Sequence, residues 1–230
     1  MFLRLIRKKC PLCSRLLSEL RTIILRFFKR RLDCAAINQR TSTSGERVAE
    51  IDAAAPDCAC ENYRMSKHSP RVVADSAHLA IFVFHPIQHI SKKTGRVKPN
   101  VFSHVKTRGR SIQRDDIASD KEMIDFVRAF LAGGEDRVWK GLLVAKCHDV
   151  RNIEADTPNK RRAVCVYDTA NPGNSSHGEL CQTRHISEAD QPELRAMLYA
   201  AFGEGVISSP NKYRNGAVWA ELAPELQARG

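Results

Sequence analysis

The sequence has no P-loop, no G-x-G-x-x-G fingerprint and no G-x-S-x-G elbow. Nucleotide-hydrolase, dinucleotide-binding and serine-hydrolase chemistry therefore find no foothold in it. Long apolar runs are missing as well. The N-terminal apolar stretch is interrupted by Glu19, Arg21 and Arg26, which excludes a transmembrane helix of about 18 or more apolar residues. The same interruptions leave no secretory leader. Without one, the cysteines are expected as reduced thiols in a cytoplasmic protein and not as a disulfide framework.

A metal framework is also lacking. Cys10-Pro11-Leu12-Cys13 has the C-x-x-C spacing of a zinc or redox pair, but no second C-x-x-C follows it. A structural zinc needs four ligands. Cys58-Ala59-Cys60, with one intervening residue, is a poor complement, so no metal site is expected, and the sequence names no cofactor.

What the chain does have is positive charge. Its 37 Lys and Arg against 26 Asp and Glu give a net charge of +11, which favours a polyanionic partner or an anionic surface and says nothing of fold. Its length suits one domain of about 150 residues plus an extension, and 43% hydrophobic with 27% charged residues is a globular composition.

Residues 1–32 hold ten Lys or Arg against one acid, Glu19. Leu16, Leu17, Leu20, Ile23, Ile24, Phe27 and Phe28 recur at helical spacing, so residues 14–32 read as a basic amphipathic helix suited to peripheral membrane contact or to a partner. Residues 33–64 are rich in Ala, Ser, Thr and Asp with little periodicity, as in a linker. The expected organisation is thus an N-terminal helix plus disordered linker over 1–64, a dispensable extension, and a compact domain over 65–230.

Within that domain, His78 to Phe84 and Val138 to Cys147 read as buried strands. Ser119-Asp120-Lys121-Glu122 is a capping box opening a helix with Met123, Phe126, Val127 and Phe130 on its apolar face. Asp190-Gln191-Pro192-Glu193 starts another helix, which buries Leu194, Met197, Leu198 and Ala201. Between them, Arg162 to His185 reads as a hairpin about Pro172-Gly173. These elements imply an α+β fold: a small, mostly antiparallel sheet with about two packed helices on one face.

Two sets of residues carry possible function. From Lys92 to Arg114 the chain holds Lys92, Lys93, Arg96, Lys98, Lys106, Arg108, Arg110 and Arg114 and no acid. Such cation density supplies the sequence-independent part of nucleic-acid affinity. Phe102 alone offers a stacking surface, so an aromatic platform for single strands is poorly supported. The second set is His177 and Glu179, on one face of a strand, with Asp168 and His104 as further catalytic candidates. A His beside a carboxylate can act as a base with its orienting partner.

His177-Gly178-Glu179 is also half of a zinc deaminase signature, but Cys181 follows in place of the required P-C-x-x-C. Two His-Ile-Ser triplets, at His89 and His185, have the form of the paired motifs of 2H phosphoesterases. Polar neighbours at Gln88, Lys92, Arg184 and Glu188 replace the apolar strand residues that would hold them in register, so the match reads as coincidence. The leading expectation is an accessory module contacting nucleic acid or another polyanion. The alternatives are a phosphoester- or nucleotide-directed enzyme built on the His177 set, and a membrane-surface protein using residues 14–32.

Overall fold

A computed structural model describes residues 18–22, 24–25, 34–39, 44–85, 90–134 and 137–206. The elements in chain order are α1 (Ser44–Ala54), β1 (His78–His85), α2 (His104–Thr107), β2 (Arg110–Arg114), α3 (Asp120–Leu131), β3 (Val138–Lys146), α4 (Cys147–Arg151), β4 (Val164–Asp168), β5 (His177–Gln182) and α5 (Gln191–Ala201). The strands form one five-stranded sheet, ordered β3-β1-β2-β5-β4, in which every pairing is antiparallel. The fold is α+β.

Alternation along β1 explains the layering. Leu79, Ile81 and Val83 go to one face of the sheet, Ala80, Phe82 and Phe84 to the other, and all six are buried. Both faces are therefore apolar, and helices cover both of them, not one as the sequence suggested. Leu194 and Leu198 of α5, with Phe202, pack on the Leu79 face beside Val166 and Leu180. On the opposite face α3 lays Met123, Ile124, Val127 and Leu131 over the β1 phenylalanines. The α3 stripe is rotated from the expected one: Phe126 is 38% exposed, though its ring still meets Phe82 at 4.9 Å. At the N-terminus of α3, Ser119 and Glu122 exchange both bonds of the capping box, an arrangement worth about 1 kcal/mol.

The segment read as a linker is part of the core. Residues 34–39 and α1 are helical, and Cys34, Ile37, Val48, Ile51, Ala55, Cys58, Cys60 and Tyr63 are buried together with Cys165, Tyr167 and Cys181 of the hairpin strands. Met65, the expected first residue of the domain, is itself fully buried in this group. The reduced-thiol reading fails at the same place, because Cys34–Cys60 and Cys58–Cys165 are disulfides. The second spans 107 residues, a loop whose closure removes about 4–5 kcal/mol of unfolded-chain freedom.

Glu61 fixes the same segment electrostatically. It accepts from Arg151 Nε at 2.7 Å, from Arg162 Nη2 at 2.7 Å and Nη1 at 3.2 Å, and from the Val166 backbone N–H. The Val166 group belongs to edge strand β4, so a carboxylate closes a donor that would otherwise face open solvent. Arg151 reaches on to Asp75 at 2.6 Å, and that hydrogen bond holds the Asp75 carboxyl below its ordinary range.

The hairpin forms as expected. Asn171 and Asn174 exchange backbone bonds at 3.1 and 3.0 Å around Pro172 and Gly173, whose φ of 80° is what the third position of a type II turn demands. His89 and the tail beyond Val206, including Trp219 and Leu222, lie outside the described residues.

Candidate functional site

The basic stretch divides into two parts once folded. Lys92, Lys93, Arg96 and Lys98 are all exposed on a turn closed by Gly95 N–H to Ser91 O and by Ser91 N–H to Arg96 O, each at 2.9 Å. Gly95 takes φ 66° there. Lys106 and Arg108 are exposed on α2 and just past it. Acids touch this surface at two points, Glu188 at Lys106 and Glu204 at Arg96. Exposed pairs of that kind contribute little and exchange readily for another anion.

Arg110 and Arg114 behave differently, because they belong to central strand β2. Arg110 is half-buried, and desolvation, with Arg108 nearby, pushes its guanidinium down to about 10. Arg114 is fully buried, which withdraws it from any polyanion surface. Its Nη1 donates to the Arg71 carbonyl at 2.8 Å and Ser69 Oγ at 3.2 Å, and its Nη2 to the Val72 carbonyl at 3.0 Å. A guanidinium has five donors in a fixed fork, and here they tie the 69–72 loop to the sheet. Phe102 is withdrawn too: it is 1% exposed and packs on Phe202 at 5.2 Å, so it offers nothing to a base.

The four catalytic candidates do not assemble. Asp168 pairs with Gly178 in register and Tyr167 with Glu179, so Asp168 and Glu179 leave the sheet on opposite faces. Asp168 lies 3.5 Å from Arg114; burial pushes its carboxyl up, opposed by a Ser69 hydrogen bond and by Arg114. Glu179 is buried and ion-paired to Arg47 of α1. Gly109, at φ 77°, packs so closely that a Cβ there would stand 3.3 Å from Glu179 Oε2. His104 sits on α2 with Arg108 Nη2 at 3.0 Å from its ring nitrogens. His185 is bound to Asp57 at 2.7 Å, on a turn and not on a strand facing a cleft.

Of the four, His177 alone is among the residues lining a pocket of about 380 Å³. Its other walls come from Asn38, Gln39 and Arg47, from residues 66–68 and from the hairpin loop at 169–172. Sequence reasoning missed Asn38, Arg47, Lys67 and His68, because they fall in or beside the supposed linker. A signal was present: Val48, Ile51 and Ala55, at i, i+3 and i+7, mark one face of a helix.

Among the described residues, Cys58, Glu61 and Cys165 alone bring metal-ligating atoms together. The two sulfurs are joined to each other, and the carboxylate is occupied by two guanidiniums and a backbone N–H. That grouping is structural. Comparison with protein-family models, with curated proteins and with solved structures finds no match to this chain, so its own geometry carries the functional reading.

Proposed function

We propose that this protein is a polyanion-contacting module whose partner is nucleic acid, engaged through Lys92, Lys93, Arg96, Lys98, Lys106 and Arg108. The observation that supports this is the exposure of all six on a stretch without an acid of its own. With Phe102 in the core, contact is to backbone phosphates and not to stacked bases, so little sequence preference is expected. The enzymatic alternative loses its support, because Asp168 and Glu179 occupy opposite faces of the sheet. The two disulfides favour an oxidising setting over the reducing cytoplasm.

Fluorescence anisotropy with a labelled duplex tests the proposal. If about four phosphates are neutralised, affinity falls roughly a hundredfold between 50 and 200 mM salt, following a slope near −0.9 per contact. Lys92→Glu with Lys93→Glu and Lys98→Glu flattens that slope, whereas a slope unchanged by the triple reversal would place the contact elsewhere.

A second reading, membrane-surface contact, has one observation behind it. Within 14–32 the described residues, 18–22 and 24–25, are helical, and Leu20, Ile24 and Leu25 are 54%, 45% and 58% exposed. Among the described residues no helix is long and apolar enough to cross a membrane. This reading predicts co-sedimentation of the full chain with phosphatidylserine vesicles, reduced by Leu20→Asp with Ile24→Asp; no difference between the variant and the parent chain would end it.

A further inference from the structure

The hairpin turn carries a triplet that neither the cationic surface nor the His177 pocket uses. Asn174-Ser175-Ser176 has the N-x-S spacing of an N-linked glycan acceptor, with no proline in the middle. No other Asn in the 230 residues is followed two positions on by Ser or Thr. Three residues match such a pattern easily by chance, so the setting decides.

The folded turn presents the acceptor atom. Asn174 closes the turn through its backbone bonds to Asn171, and its side chain is half-buried. Its Oδ1 is engaged: Ser176 Oγ lies 3.1 Å from it and 2.6 Å from Gln113 Oε1, so one hydroxyl proton serves two carbonyl oxygens. Asn174 Nδ2 has no hydrogen-bond partner among the described residues, and it is not one of the buried atoms left unpaired. It is therefore open to solvent. The hydroxyl and the amide of the triplet face each other, and the amide nitrogen stays accessible. Around it, Asn171 and Pro172 are exposed, and a Cβ added at Gly173 would meet nothing within 4 Å. A bulky, hydrophilic substituent has room there.

The cysteines supply an independent observation. Cys34–Cys60 and Cys58–Cys165 are closed, and disulfides persist in the oxidising compartments of secretion. A surface turn in a secreted chain is the context in which this triplet acts as an acceptor.

We infer that Asn174 carries an N-linked glycan. The donor is an oligosaccharide on a lipid pyrophosphate. Asn174 Nδ2 bonds to the anomeric carbon of the first sugar and gives up one proton. The bond from that carbon to the pyrophosphate oxygen breaks, and the pyrophosphate leaves with the electron pair. Ser176 is 2% exposed in the folded chain, so transfer takes place on the extended chain, before β5 pairs with β2 and β4. Once the chain folds, the glycan stands on the turn whose Asn171 and Pro172 line the His177 pocket.

Intact mass spectrometry tests this on the full chain, produced from its own initiating Met in cultured animal cells. The chain is expected to carry one oligosaccharide, removable by peptide N-glycosidase with an aspartate left in place of Asn174. Asn174→Gln and Ser176→Ala are each expected to lose it completely. Ser176→Thr is expected to keep it, because a threonine hydroxyl serves the same triplet. Transfer precedes folding, so a variant that folds poorly still reports its glycan.

A parent chain of unmodified mass overturns the inference, whether its cysteines are found paired or free. So does sugar that persists in Asn174→Gln or in Ser176→Ala. Duplex binding by the 92–108 surface can fail while this result stands, because none of the cations of that surface is substituted here.

Discussion

A chain beginning at Met65 is expected to lose its cooperative thermal transition. The cut removes both disulfides, Glu61, and the buried side chains of Ile37, Val48, Ile51 and Tyr63. Full burial of large apolar side chains is worth about 1.5–3 kcal/mol each. Four of them alone approach the 5–15 kcal/mol by which whole domains are stable. Tyr167, Cys165 and Cys181 would be uncovered at the same stroke, and Glu179 would keep a buried carboxylate without Arg47. Circular dichroism melting and dye binding to exposed apolar surface check this directly. A Met65 chain that melts sharply at the full-length temperature would show that the N-terminal segment is an appendage after all.

Glu61→Gln is expected to cost about 3–5 kcal/mol, as removing one partner of a buried ion pair does. The amide keeps the shape of the side chain and can still accept from the Val166 N–H. It cannot neutralise Arg151 and Arg162, which both converge on Glu61. Arg151 retains Asp75 at 2.6 Å and the Val73 carbonyl at 3.0 Å, which sets the loss nearer the lower figure. For a domain of this size the melting temperature should fall by roughly 6–15 °C. Urea unfolding gives the free energy, and a loss under about 1 kcal/mol would mean that water replaces the carboxylate on both arginines.

The parts of the fold that local chemistry dictates were legible in advance. Ser119 and Glu122 cap α3 because a hydroxyl and a carboxylate three residues apart answer each other's backbone donors, whatever surrounds them. Pro172-Gly173 turns the hairpin for an equally local reason. Arg110 to Arg114 misled because two arginines at the ends of a five-residue strand look like surface. What makes the strand central is a set of carbonyls at 71 and 72 that only the folded chain brings within reach of Arg114. The segment 34–64 misled for the same reason at longer range. Its apolar residues are sparse, and its hold on the sheet comes from Cys58 and Glu61, whose partners Cys165, Val166 and Arg162 lie more than a hundred positions away. His177 was legible as a chemical residue, whereas its pocket was not, since the opposite wall is that same segment.

The Cys58–Cys165 span also has a meaning in time. A ribosome adds about 5–20 residues each second, so the 107 positions between the two sulfurs correspond to roughly 5–20 s during which Cys58, Ile51 and Glu61 are already made and β4 is not. Through that interval the Cys34–Tyr63 group lacks β4 and β5, whose Cys165, Tyr167 and Cys181 it packs against, while Cys34 and Cys60 can already pair. The last-made third of the molecule thus completes the burial of Ile37, Val48 and Ile51.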